Sequence, residues 1–541
     1  MNNDQLKRIQ KILIGIFIFL AVLVCICLAI VFLGSRKTAV VSDQDTKELS
    51  QEQGLSDATA FLPDAVVLYD PMPEISFIDA DGKTLTLSDF TGKPLIITFW
   101  ASWCPDCHEQ MMIINECAAL AEEHGFTYIL MDKLDYDKES KQQAFDYLEE
   151  NQIIPATYFD DQIQIYQQLG MHNVPTTYFI DAQGILKAVC GKQITELSVF
   201  EAYLNNTLLG SEAVTEAFVT DQMGTDGGIH TEYHPSSKEQ TSQSDVLSES
   251  QGLMLEYAAF KGDHALFDTT LGYVEQNMRQ NGLTAWRISG GKQDDVNALI
   301  DDFRIYRALS QADVLWGGYS SQLTDYRTQL KAYALHDGHY IDFYDFKNKQ
   351  PAERFTLCYA DFRAMELLAE QDVSFQTAYE NALQLVENGR ISDDFPLYYS
   401  WYNYKTSAYE ETDLNMSEAM VTMLYLSEAG RLPQDTIKWL KDTLADGGIM
   451  ARYDVKGNVV TGYRYESTAT YALLAMIGEN VKDPELTGKA LNKMEKMRIN
   501  DTKYVYNGAF GNPDGSGISS FNQLVPMVAY AYCTKEENVV Q

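Results

Sequence analysis

Positive charge is scarce in this sequence. Its 541 residues carry 41 Lys and Arg against 77 Asp and Glu, a formal net charge of −36 at pH 7. Nucleic-acid binding needs a Lys/Arg surface to neutralise phosphates, so that class of function is excluded. Cysteine is sparse as well: eight in a chain this long do not make a disulfide scaffold. Cys25 and Cys27 fall in an apolar stretch, and Cys104 and Cys107 form a CxxC pair. Cys117, Cys190, Cys358 and Cys533 are scattered, as expected of small buried hydrophobes. No second CxxC completes a zinc site, and the sequence points to no metal and no cofactor. Compositional bias is missing too, since 45% hydrophobic and 12% aromatic residues are ordinary for folded domains. The length exceeds one compact core, so two or three domains are expected.

One long apolar run stands out. From Ile12 to Leu33 the chain is uncharged and almost wholly apolar. At about 1.5 Å per residue it spans a bilayer core of about 30 Å. A secretory leader would have a shorter apolar core and a small-x-small cleavage site. No such site follows, and Cys25 lacks the small preceding residue of a lipidated cysteine. The run therefore reads as an uncleaved transmembrane helix over 12–33, with 1–11 as a cytoplasmic tail. Lys7, Arg8 and Lys11 precede it while Arg36 and Lys37 follow, a slight positive-inside bias. Residues 34–65 are polar and rich in Gln, Ser and Asp, and read as a linker. Both later domains are expected outside the cytoplasm of a single-pass membrane protein.

From Glu74 to about Leu204 β-like and helical patterns alternate, the mark of an α/β domain. Ile75–Ile78 and Thr84–Leu87 flank the turn Asp81-Gly82, a plausible hairpin. Leu95–Trp100 is a buried strand, and Cys104 opens a helix expected to run to about Glu123. Beyond Ser211 the pattern is helical nearly throughout. Leu253–Phe260, Ala419–Leu426, Ala469–Ile477 and Leu524–Tyr532 are apolar on most faces, whereas Thr436–Leu444 and Glu485–Met497 are one-sided. That alternation fits two concentric layers of about a dozen helices, an α/α toroid. Its loops, rich in Gly, Asp and aromatics, are where a glycan site is expected.

The run Phe99-Trp-Ala-Ser-Trp-Cys104-Pro-Asp-Cys107 ends a strand and begins a helix. The positive end of a helix lowers the pKa of Cys104, and two intervening residues leave Cys107 close enough to resolve a mixed disulfide. This run, Asp81-Gly82, Gly92-Lys-Pro94 and Val174-Pro175-Thr176 together resemble the thioredoxin superfamily, in its membrane-tethered extracytoplasmic branch. The resemblance implies a thioredoxin fold over 66–207, catalysis by Cys104 and Cys107, and a groove shaped by Trp103 and Pro175. It also implies extracytoplasmic protein thiols or disulfides, and a redox partner, as what the dithiol meets. Asp106 departs from the family pattern, and a carboxylate there should disfavour the Cys104 thiolate.

In the helical half, Ser248-Glu-Ser-Gln-Gly252 stands at a helix start. By itself it reads as a capping box of Ser248 and Gln251, with Glu249 complementing the helix dipole. Followed by Phe267, Trp286-Arg287 and Asn297-Ala-Leu-Ile-Asp-Asp302-Phe-Arg-Ile305, it resembles glycoside hydrolase family 8. That resemblance implies an (α/α)6 toroid over 211–541 acting on a β-linked polysaccharide by inversion. Glu249 would be the general acid. Asp413, ahead of a later helix, would be the base and could equally be an N-cap; Asp394 is the runner-up. Asp302, with Asp301 beside it, would hold the sugar, though Ile300 stands where the family has the first aspartate of its pair. Trp286, Trp401, Tyr463 and Tyr465 would stack on sugar faces. A toroid that binds glycans or acts as a scaffold, without hydrolysis, is the alternative.

Overall fold

The computed structural model describes residues 66–533. The expected tail, membrane helix and linker over 1–65 lie outside the described residues. Among the described residues no helix is long and apolar enough to cross a membrane.

The first part is built on a seven-stranded sheet in the order β2-β1-β5-β4-β3-β6-β7. The strands are β1 Ser76–Ile78, β2 Thr84–Thr86, β3 Leu95–Trp100, β4 Thr127–Asp132, β5 Ala156–Phe159, β6 Thr176–Ile180 and β7 Leu186–Cys190. Central β3 runs parallel to β4 and antiparallel to β6, and with a packed cluster on each face all six of its residues are buried. Side chains alternate across it as the pleat requires. Ile96 and Trp100 pack under the helices α1 Pro105–Met111, α2 Ile114–Glu123, α3 Lys141–Glu150 and α4 Leu197–Leu209. Leu95, Ile97 and Phe99 pack on the other side with Val66, Leu68 and Leu169. The single helix expected from Cys104 to Glu123 is two helices. The break after Met111 leaves Met112 83% exposed and turns Ile114 and Cys117 into the core.

Gly210, at φ +91°, joins α4 directly to α5 Ser211–Phe218 and the helical part. Six helices there form a closed ring among the described residues: α6 Ser248–Lys261, α8 Leu299–Leu315, α10 Phe362–Gln371, α12 Met416–Glu428, α14 Thr468–Asn480 and α16 Ser520–Cys533. Each touches the next, and α16 closes on α6. Inner position follows from sequence: every residue of α14 from Thr468 to Gly478 is buried. The one-sided helices alternate with these along the chain: α7 His264–Tyr273, α9 Ser320–Tyr333, α11 Gln376–Asn388, α13 Gln434–Ala445 and α15 Pro484–Glu495. In α13 only Thr436, Ile437, Leu440 and Leu444 are buried. This is the helical toroid that the alternation predicted.

Both parts pack as one unit. Asn492 of α15 accepts from Leu68 N (3.2 Å) and donates to Val66 O (3.2 Å), and Tyr69 meets Tyr530 edge-on at 5.6 Å. Thr502 N donates to Ser198 O (3.1 Å) at the start of α4.

Candidate active sites

The dithiol sits where β3 hands over to α1. Register places Phe99 opposite Thr176, so the loop after Trp100 lies beside Val174-Pro175, a cis peptide. Cys104 is the N-cap of α1, with Pro105 in the first turn where a missing N–H costs nothing. Its sulfur accepts from Cys107 N at 3.3 Å and its thiol donates to Val174 O at 3.4 Å. The Cys107 thiol beside it and the helix-start N–H groups hold the Cys104 thiol down to about 7, against burial and the Asp106 carboxylate, which raise it. Cys107 is fully buried, and burial, then Cys104, pushes its thiol up. One thiol is thus ready as a nucleophile and the other held back to resolve. Trp103 is 36% exposed at the mouth with Lys138 Nζ 4.0 Å from its ring centre.

A buried carboxyl group behind this loop escapes sequence reading. Asp132 ends β4 opposite Trp100, is 0% exposed, and neither oxygen has a hydrogen-bond partner among the described residues. Burial, then Glu139 and Asp160, raises its carboxyl to about 9. Glu139 accepts from Ser102 N (3.2 Å) and from the Ser102 hydroxyl, which ties this group to the dithiol loop. An Asp at the end of an apolar strand reads as a solvent-facing boundary, so only the register reveals it.

The second site forms where the inner helices begin. Short strand pairs ring that end of the toroid: Val246-Leu247 with Arg287-Ile288, Thr356 with Trp401, and Leu414-Asn415 with Tyr453-Arg452. Glu249 is half-buried in the first turn of α6 between two tied serines. Ser248 Oγ donates to Asp301 Oδ2 (2.5 Å), its N–H donates to Trp286 O (2.9 Å), and Ser250 Oγ meets Ser520 Oγ at 2.8 Å. The capping box is not formed. Leu247 is the N-cap, and the buried Gln251 amide, oriented to satisfy both partners, donates to Gly227 O (3.0 Å) and accepts from Ile229 N (2.9 Å). Gly252 is needed for a close approach: a Cβ there would stand 3.1 Å from Arg304 Cδ.

The acidic pair of α8 lies within the wall. Asp301 is 4% exposed and bonds Ser248 and Arg304. Asp302 is 0% exposed, its oxygens taken by Thr284 N (2.9 Å) and Asn297 Nδ2 (2.8 Å); burial raises it to about 7 against those bonds. In this position Asp302 bonds two loops, through Thr284 and Asn297, and is closed off from solvent.

Asp413 is exposed just before Leu414-Asn415, and the N-cap of α12 is Asn415, which accepts from Ser417 N at 3.0 Å. Since α6 and α12 are three steps apart in the ring of six, Glu249 and Asp413 belong to opposite helix starts. Asp394 is exposed in the loop before Phe395. Trp286, Trp401 and Tyr463 are half-buried, each with an arginine against its ring: Arg287 at 4.5 Å, Arg354 at 5.3 Å and Arg452 at 4.6 Å. Tyr465 stands 6.2 Å from Tyr463. Sequence reading missed Glu418, half-buried in the first turn of α12 and lining a small pocket with Cys358, Tyr398, Tyr399 and Ser400. Its spacing from Asn415, Asn-x-x-Glu, reads as a cap, and Asn415 Nδ2 does reach it at 3.4 Å. Burial, then Glu418 and Asp342, raises the Cys358 thiol.

The Redoxin family matches residues 69–204. YdaJ of Bacillus subtilis (strain 168), which is named a lipoprotein, is 26% identical over 305 residues, 55% of this chain and 82% of its own length. The thiol-disulfide oxidoreductase ResA of Bacillus thuringiensis subsp. konkukian (strain 97-27) is 27% identical over 125 residues, 23% of this chain and 70% of its own. Among solved structures, an α-amylase from Clostridium perfringens is 30% identical with a TM-score of 0.56, covering 60% of this chain and 97% of that one. The chain joins a thioredoxin-like domain of the Redoxin family, over residues 69–204, to a helical toroid similar to that of the Clostridium perfringens α-amylase.

Proposed function

We propose that this protein is a membrane-associated, extracytoplasmic thiol-disulfide oxidoreductase fused to a glycosidase of an extracellular polysaccharide. For the first activity the supporting observation is the unequal pair, Cys104 lowered and Cys107 raised, at one helix start. The Cys104 thiolate attacks a partner disulfide and releases one thiol. The Cys107 thiolate then attacks the Cys104 sulfur and releases the second, so two electrons pass to the partner and the dithiol closes to a disulfide. Run backwards, the same steps oxidise a partner dithiol. Membrane association has support from the lipoprotein name of YdaJ and from the apolar run Ile12–Leu33.

For the glycosidase the supporting observation is Glu249, held at an inner-helix start by serines bonded to α8 and α16. Glu249 gives its proton to the leaving oxygen while a second carboxylate takes one from water on the opposite face of the sugar. That second group is Asp413 on the family pattern, with Asp394 behind it. The sequence motifs suggest a β-linked glycan, whereas one solved relative is an α-amylase, so a substrate panel must hold both starch and β-glucans. Glu249→Gln should cut release of reducing ends at least about 100-fold with folding intact. A wild-type rate for that variant removes this mechanism. Ile300, where the family pattern has an aspartate, favours one rival reading, a toroid that binds glycan without cutting it. Retention of a polysaccharide without new reducing ends would select it.

A further inference from the structure

The loop beside the dithiol leads, contact by contact, to the toroid. Cys104 donates to Val174 O, and the neighbouring Asn173 side chain donates to Gly191 O (2.5 Å) in the loop after β7. Three residues on, Ile194 N donates to Gln110 Oε1 (3.0 Å), one turn of α1 past Cys107. The same loop then reaches Glu196, and here the toroid takes over. Lys503 Nζ lies 2.7 Å from Glu196 Oε2 and 2.9 Å from Asp501, while Thr502 Oγ1 bonds Glu201 at 2.6 Å. Asn206 donates to Asn500 at 2.8 Å further along α4. Three side-chain ties therefore fix one toroid loop, 500–507, along the helix that follows the groove loop.

That loop presents apolar surface to solvent. Tyr504 is 38% exposed and Val505 66% exposed, and both are rare among the large apolar residues in being so open. Tyr504 is held flat: its ring stacks on Tyr506 at 4.8 Å and 9°, with Lys503 Nζ 5.1 Å from its centre. A rigid, half-exposed aromatic costs little entropy when a partner covers it, which is the profile of a docking anchor. Next to Cys104 in sequence, Trp103 is likewise exposed and braced by Lys138.

We infer that loop 500–507 of the toroid extends the dithiol's docking surface, so that Tyr504 and Val505 help to seat a polypeptide partner whose disulfide meets Cys104. The partner chemistry is a protein disulfide, since a half-exposed tyrosine and an exposed valine offer apolar surface that a polypeptide can cover and a small disulfide cannot. This rests on the thiol-disulfide reading of the first domain. It also gives the fusion a physical consequence, because part of the redox specificity belongs to the other half of the chain.

The test uses the full chain with dithiothreitol as reductant and compares two oxidised substrates, insulin and 5,5′-dithiobis(2-nitrobenzoate). Turnover of the small disulfide by the wild-type chain, and its loss in Cys104→Ser, tests the thiol-disulfide reading itself. In Tyr504→Ser/Val505→Ser the ratio of insulin to small-disulfide kcat/KM should fall at least about fivefold. A ratio within about twofold of wild type overturns the docking surface while leaving the dithiol chemistry standing. A second measurement traps insulin on Cys107→Ser as a mixed disulfide and follows hydrogen exchange. Amides of 500–507 should slow in the trapped complex, and unchanged exchange there also overturns the proposal.

Discussion

Arg304 Nη1 stands 3.1 Å from Asp301 Oδ1 on consecutive turns of α8, and each residue is only 4% exposed. The same guanidinium lies 3.5 Å from Glu256 of α6, and the same carboxylate accepts the Ser248 hydroxyl. Removing Asp301 therefore strands a buried cation and frees the residue next to Glu249. Asp301→Ala should lower unfolding stability by about 3–5 kcal/mol, as broken buried pairs do. Chemical denaturation of the full chain measures it, and a loss below about 1 kcal/mol would show that Glu256 alone satisfies Arg304.

Gly252 offers a sharper probe of the same contact. In most helices Gly→Ala gains about 1 kcal/mol from backbone entropy. Here a Cβ would meet Arg304 Cδ at 3.1 Å, Cγ at 3.3 Å and Cβ at 3.4 Å. The stem cannot retreat, because its guanidinium is pinned by Asp301 and Glu256. Gly252→Ala should therefore lower the melting temperature despite its propensity. A rise would mean that the arginine gives way freely.

These contacts explain what could be read in advance. The α/β sheet, the dithiol at a strand-to-helix junction and the two-layer toroid follow from periodicity and motif, because burial of all-round apolar helices leaves few arrangements. Glu249 was legible as a motif. The roles of Asp301 and Asp302 were not, because an acidic pair at a helix start looks the same whether it faces a groove or a neighbouring loop. Only packing turns Asp302 toward Thr284 and Asn297. Glu418 was hidden by a capping spacing, and Asp132 by its place at a strand end. In each case the missing information was the direction of a side chain relative to a non-local partner.

Asp132 makes a prediction with a definite sign. Its carboxyl is raised to about 9 by burial and by Glu139 and Asp160, so the folded chain keeps a proton that the unfolded chain releases above about pH 4. A raised carboxyl favours folding at low pH and opposes it increasingly up to its folded pKa. Asp132→Asn removes this penalty. The melting-temperature difference between variant and wild type should therefore become more positive between pH 5 and pH 8, about where the penalty accumulates. A difference flat across that range would mean that Asp132 is not held protonated.

Cys104 carries the opposite shift. Its thiol is lowered to about 7, first by the Cys107 thiol beside it and by helix-start N–H groups, with Asp106 pulling the other way. The thiolate is the reactive form, so the alkylation rate of the reduced chain should rise with a midpoint near pH 7, and Cys107 should stay unmodified in the folded state. Because the folded thiol titrates below its unfolded value, the thiolate adds stability at high pH that is lost as pH falls toward 7. The reduced chain should thus gain on Cys104→Ser between about pH 7 and pH 9. Asp106 is exposed on the first turn of α1, where its charge acts on the thiolate without holding the fold. Asp106→Asn should move the alkylation midpoint to lower pH and leave the melting temperature within about 1 kcal/mol equivalent of wild type. A midpoint that moves upward would place the governing charge elsewhere, and alkylation of Cys107 ahead of Cys104 would exchange the roles of nucleophile and resolving thiol.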